Sequence, residues 1–384
     1  MKRFGLLPRI IVAIIAGIIA GTFMPDWFIK IFATFNGIFG NFLGFVIPFI
    51  IIGFIAPGIA SIGKGAGKLL GLTTLSAYIS TIAAGLIAFF VAQSLYPLIL
   101  SNQAAKAFDD PSSALLAPFF EVEMAPIMSV MAALLFAFIL GLGMAAIKGN
   151  TLQSAMNEFR EIIEKIIERV IIPLLPIHIF GIFANMTQGG QVSAIMSVFA
   201  KVFVMIIILH VLYLCLQYST AGVLRKQNPF FMLKSMLPAY FTALGTQSSA
   251  STIPVTLERT KSLGVKERVA DFSVPLLATV HLSGSTITIV SCAMAVMMLQ
   301  DAAYSTGSML SFILMLGITM IAAPGVPGGA VMAALGLLET MLGFNSTMLS
   351  LMIALYLAQD SFGTACNVTG DGAITAVVDK LNKE

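Results

Sequence analysis

Four polar side chains near the carboxy terminus carry chemistry that the surrounding apolar sequence does not need for packing. The last apolar segment, Thr347 to Val378, contains AQDSFGTACNVTGD, in which Asp360, Thr364, Asn367 and Asp371 follow one another in steps of four, three and four. At the helical turn angle those steps put all four on one narrow stripe. Two carboxylates on one face of a membrane-depth helix are costly without a positive partner, so they mark a functional site by default. No lysine or arginine lies deep in the apolar segments that follow Leu257. A mobile cation is then the cheapest partner. The stripe is expected to bind a cation and the amino group of a small substrate. The alternative is a pair of carboxylates satisfied by neighbouring serines and threonines.

Three further polar interruptions belong with the stripe. QSSAST, Gln247 to Thr252, offers hydroxyls and free backbone N–H groups; a helix starting there would present donors and the positive end of its dipole to a carboxylate. Serines that merely let two helices pack closely are the competing explanation. His281-Leu282-Ser283-Gly284-Ser285 breaks an apolar run, and unwound carbonyls there suit a sodium ion, a hard cation that wants oxygen ligands. A simple kink would look the same. His281 itself reads as a packing residue, a lender of its backbone carbonyl, or a proton carrier. APGVPGG has the glycines and prolines of a hairpin tip that lifts and closes, or of a kinked helix. His178 and His210 read as packing histidines.

The elements that must position these residues follow from composition. The 384 residues are 58% hydrophobic and 10% charged, with a mean hydropathy of +0.97. A soluble domain carries roughly 25% charged residues. The class is a polytopic all-α membrane protein, and the net charge of +3 implies no nucleic-acid partner. Cys215, Cys292 and Cys366 each sit in an apolar run without CxxC spacing and read as buried thiols. No HExxH metal motif is present. The basic-then-apolar start could be a signal peptide, but no small-x-small site follows cleanly. It reads as a first membrane helix with its basic end inside.

A span needs about 20 apolar residues. The spacing predicts spans at Leu6–Phe23, Phe35–Ile62, Leu69–Leu98, Ala125–Ile147, Val170–Met186 and Val192–Leu216. The linker Ser101 to Glu123 is acidic and reads as external. Lys148 to Arg169 is amphipathic and reads as lying along the cytoplasmic face. Pro229 to Leu257 has basic residues at both ends, and about 29 residues cannot cross twice. It is expected to be a re-entrant hairpin entering from inside. Val269–Gln300 is a seventh, broken span. Ser308–Gly343, interrupted by AAPGVPGGA, reads as a second hairpin of opposite orientation. Thr347–Val378 is the eighth span. Interrupted segments in corresponding positions of inverted repeats point to a transport site.

At QSSASTIPVTLE, the broken seventh helix, GVPG and NVTGD, the chain resembles the dicarboxylate/amino acid:cation symporter family, the fold of the glutamate transporter homologues. The ordered match runs from about Phe230 to Val378; the first six spans match in layout. The resemblance implies an elevator-type homotrimer in the cell inner membrane, amino terminus cytoplasmic. Residues 1–68 (helices 1–2) and 101–191 (helices 4–5, the external linker and the amphipathic stretch) would be scaffold. Residues 69–100, 192–224 and 225–384 would form the transport domain. It implies that Ser248, Ser249 and Asn367 hold a substrate carboxylate, that Asp360 takes the amino group, and that Val326 to Gly328 close over the ligand. Sodium would sit between Asn367, Asp371 and carbonyls near Leu277 and His281. A second sodium would use carbonyls around Thr279 and Met320 to Ala323.

Departures from the family pattern narrow the substrate. Where acidic-substrate members place an arginine, this chain has Gly363, and the alternative arginine position is Gln247. An acidic side chain would meet Asp360 and Asp371 with no fixed positive partner. The family's NMDGT reads HLSGS here, which removes the aspartate of a third sodium site at Ser283, and Ala323 replaces a threonine of the second. The last helix resembles the serine/threonine symporter branch. The expectation is sodium-coupled import of a small neutral amino acid, with Thr364 in the pocket wall and Ser285 meeting a side-chain hydroxyl. A proton-coupled carrier is the nearest alternative. A channel is disfavoured by paired opposing hairpins, and an enzyme by the absence of a GxSxG elbow.

Overall fold

The computed structural model describes residues 6–63, 68–107, 115–190, 192–323 and 327–382. Lys64, Asp109, Asp110 and Val326 fall outside them. Regular structure among the described residues is helical throughout: α1 (Leu6–Phe23), α2 (Asp26–Gly63), α3 (Lys68–Ala107), α4 (Val130–Ala146), α5 (Thr151–Ile166), α6 (Ile172–Gln188), α7 (Val192–Arg225), α8 (Pro229–Ser235), α9 (Leu237–Thr246), α10 (Ser249–Ser262), α11 (Glu267–Val280), α12 (Ser283–Leu299), α13 (Thr306–Ala322), α14 (Gly329–Leu342), α15 (Ser346–Leu357) and α16 (Asp360–Leu381). Five stretches among the described residues are long and apolar enough to cross a membrane: Asp26–Ala60, Lys68–Leu100, Thr151–Gln188, Ile195–Arg225 and Glu267–Leu299. Large apolar side chains cover the outside of these helices, among them Ile31, Ile79, Val204, Ile208 and Leu212. So much exposed apolar surface on a soluble chain would drive association, whereas a bilayer solvates it.

The helix positions match the sequence expectations in most places, and the differences have local causes. α1 has the expected bounds. α2 starts at Asp26, nine residues before the expected Phe35, because Asp26 and Lys30 dilute the hydropathy without interrupting the helix. α4 begins at Val130 rather than Ala125, with Pro126 just upstream and Ser129 capping it by accepting from Ala132 N at 3.2 Å. The amphipathic α5 does not end before the fifth span; it continues through a π-helical turn, Ile167–Ile171, into α6. Its apolar face packs on α2, where Ile163 is buried and Arg160 lies 5.6 Å from the Phe54 ring centre.

α9 packs against α10 and α13 against α14, so both interrupted segments are helix–turn–helix pairs. The break in the seventh span is two residues long, His281 and Leu282, and Ser283 already begins α12. The eighth span is not one helix. It breaks at Ala358-Gln359, where the Gln359 Nε2 donates to Leu355 O at 3.2 Å and occupies the carbonyl that the backbone ladder would use. All four stripe residues lie on the second piece, α16, so the stripe survives the break.

α16 is the hub. It packs against α3, α7, α9, α10, α11 and α12. At its far end Arg225 donates from Nη1 to Asp379 Oδ2 (2.5 Å) and from Nη2 to Gly264 O (2.8 Å). One guanidinium thereby ties the ends of α7 and α16 to the turn between α10 and α11.

Candidate functional site

Asp360 is the first residue of α16 and is buried. The free N–H groups of a helix start favour a carboxylate there, which explains why this one is tolerated out of water. Its Oδ2 accepts from Gly328 N at 2.7 Å. Gly328 lies just before α14 in the left-handed region, φ +75°, a conformation that glycine adopts without strain. The start of α14 and the carboxylate are therefore in contact. Tyr356, one turn before Asp360, is fully buried beside Asp360 and Ser285, without a satisfactory hydrogen bond to either.

Asn367 sits deeper on the same stripe. Its Oδ1 accepts from Gly284 N (2.7 Å) and Ser285 N (3.2 Å), and its Nδ2 donates to Ser285 Oγ (3.0 Å). A side chain of α16 thus caps the start of α12 from outside, satisfying donors that a helix start leaves free. The close approach depends on Gly284: a Cβ there would lie 2.5 Å from Gly363 O and 2.6 Å from the Cys366 Cβ. Gly363 faces the same junction with more room, its ideal Cβ 3.5 Å from Ser285 N and Thr288 Oγ1. Thr364 is buried between Asp360 and Asn367.

Asp371 and His281 form a buried pair, Nδ1 to Oδ1 2.8 Å. The other ring nitrogen, Nε2, is 3.0 Å from Ser80 Oγ on α3. Ser80 Oγ also accepts from Gln217 Nε2 (3.0 Å) and lies 2.9 Å from the Tyr213 hydroxyl, both on α7. Leu277 O accepts from His281 N at 2.9 Å. Thr279 is exposed, its hydroxyl donating to Leu276 O. Ser283 Oγ is buried without a hydrogen-bond partner.

Between α9 and α10, Gln247 ends α9 in the left-handed conformation, φ +55°, and Ser248 caps α10, its Oγ accepting from Ser251 N at 3.3 Å. Ser249, Thr252, Thr256 and Thr260 form a buried polar stripe along α10, which packs on α16. The structure therefore gathers Asp360, Gly363, Thr364, Asn367, Ser285 and Gly328 at one junction, and Leu277, His281 and Asp371 at the next. It puts Ser248 and Ser249 on a neighbouring element, the start of α10, which packs against α16. Sequence reasoning missed Ser80, Tyr213 and Gln217, and it read His210 as packing alone. His210 is buried and its Nε2 lies 3.0 Å from Gly284 O, which fastens α7 to the start of α12. The available signal was a few polar residues inside the otherwise apolar α3 and α7.

The family model for the sodium:dicarboxylate symporter family matches residues 6–381. The chain belongs to this family. It is also similar to the serine/threonine transporter SstT of Acinetobacter baylyi, 25% identical over 400 residues, covering 100% of this chain and 99% of the relative. A second similar relative, the serine/threonine transporter SstT of Acinetobacter baumannii, is 26% identical over 396 residues, covering 100% and 98%. These relationships identify a multi-pass membrane transporter, not an enzyme. The symporter family name carries sodium as the coupling ion.

Proposed function

We propose that the chain is a secondary-active symporter that imports serine or threonine together with sodium. The observation that carries this is the surroundings of Asp360. A buried carboxylate accepts a backbone N–H from Gly328 beside Tyr356, with no basic side chain paired to it among the described residues, and the position one turn on that would hold an arginine is Gly363. Such a site favours an ammonium and repels an acidic side chain. The names of the similar transporters agree with a hydroxylated neutral substrate. Asp360 would take the ammonium by displacing Gly328 N. Ser249, Ser248 and the Nδ2 of Asn367 would meet the carboxylate, Ser285 the substrate hydroxyl, and Thr364 the wall between them.

The rest of the reading follows the family arrangement. Eight spans and two opposed re-entrant hairpins, in inverted repeats, would form a homotrimer with a fixed scaffold and a sliding transport domain. The amino terminus would be cytoplasmic. The contact between Gly328 and Asp360 would hold the pocket shut while it is empty, and the incoming ammonium would replace it. Sodium would be drawn to the carbonyls at the end of α13, Met320 to Ala323, and at the break after α11, near Thr279. The C-terminal end of a helix favours a cation.

Calorimetry tests the role of Asp360. Serine is expected to bind the wild-type protein in sodium and aspartate to bind far more weakly. Asp360→Asn should abolish serine binding while sodium still binds. Unchanged serine affinity in that variant would refute the assignment.

A further inference from the structure

The resemblance makes Asp371 a sodium ligand, but its surroundings show a different partner. Asp371 Oδ1 lies 2.8 Å from His281 Nδ1, with the two side chains 1% and 0% exposed. The imidazole is not free to turn away. Its Nε2 is bound to Ser80 Oγ at 3.0 Å, and Ser80 is held in turn by Gln217 and Tyr213. Four elements, α3, α7, the α11–α12 break and α16, thus meet on one ring. Gly370 makes the space: a Cβ there would stand 2.7 Å from Gln217 Oε1 and 3.1 Å from His281 Cε1.

Two further oxygens of the expected cation site are also engaged. Leu277 O accepts from His281 N, and Asn367 Oδ1 accepts from two backbone N–H groups. A hard cation needs several oxygen ligands turned toward it at once. Here three of the oxygens already face N–H donors, and a cation competes with each of them. A buried carboxylate also needs a partner at every stage of a cycle, because removing one leaves an uncompensated charge. A side chain built into the break supplies that partner whether or not an ion is aboard.

We infer that the His281 imidazole, rather than sodium, is the standing partner of Asp371, and that the chain carries a single coupling sodium, bound at the α13 end. This rests on the sodium-symporter reading above and sets its stoichiometry. His281 is then a positioning residue: it fixes Asp371 and, through the break, the start of α12 that Asn367 holds.

The test counts sodium without any amino acid present. Equilibrium binding of radiolabelled sodium to the purified full chain is expected to give one ion per protomer. In His281→Asn an amide oxygen replaces the ring donor, and the count is expected to rise to two. Two ions bound by the wild-type protein would overturn the inference, whether or not the variant folds. So would an unchanged single ion in a correctly folded His281→Asn. Because no amino acid is used, a failure to transport serine with one sodium bound would count against the substrate assignment and support this one.

Discussion

A carboxylate survives at Asp360 because it opens a helix and meets a backbone N–H, a partner that the proposed function would exchange for an ammonium. In the proposed pocket, specificity would turn on Gly363. Its ideal Cβ makes only ordinary contacts, 3.5 Å or more, with Ser285 and Thr288. Gly363→Ala is therefore expected to be tolerated. Gly363→Arg should shift preference from serine toward aspartate. A hydrogen bond to a charged group contributes about 1.5–3 kcal/mol, or roughly tenfold to a hundredfold in relative affinity. Competition uptake with the two amino acids checks this, and an unaltered preference would count against the pocket. The stripe itself was legible in the sequence because spacing on one helix needs no knowledge of the fold. The His281–Asp371 pair was not: the two residues are 90 positions apart, and His281 alone had three open readings. Ser80 and Gln217 were less legible still, because a lone polar residue in an apolar helix does not announce a partner 137 positions away.

At the level of elements, the site exists because α12 and α16 approach closely enough for Asn367 to cap α12. Gly284→Ala places a methyl against Gly363 O and the Cys366 Cβ, atoms of a neighbouring helix backbone and its root. Overpacking of this kind costs about 1–3 kcal/mol. The melting temperature in detergent is expected to fall and serine binding to weaken with it; a variant of wild-type stability would show that the helices have slack. The opposite end of α16 gives an independent prediction. Arg225→Ala leaves Asp379 buried without its guanidinium, a loss of about 3–5 kcal/mol, whereas the Arg225→Ala/Asp379→Ala double variant should recover part of that stability. Strictly additive losses would show that the pair does not couple. Both interrupted segments were visible as polar or Gly/Pro-rich insertions. The break at Ala358-Gln359 was not, because it is made by one glutamine side chain reaching back to Leu355 O rather than by a helix-breaking residue.

For the molecule as a whole, hydropathy and charge already required a membrane protein, and the family relationship extends over residues 6–381. Their limit appears at helix ends: the helix α2 takes in Asp26 and Lys30, and α5 runs on into α6, because tertiary packing rather than hydropathy decides where a helix stops. Assembly is open to a simple check. Native mass spectrometry should find three copies of the 40.8 kDa chain, and a persistent monomer would contradict the homotrimer.

Transport is the claim on which the rest depends, and proteoliposomes reconstituted with the purified chain test it most directly. Labelled serine should accumulate above its outside concentration when an inward sodium gradient is imposed, and accumulation should vanish when sodium is replaced by potassium or when aspartate is the labelled substrate. Serine uptake that ignores the sodium gradient, or aspartate accumulated in preference to serine, would contradict the account.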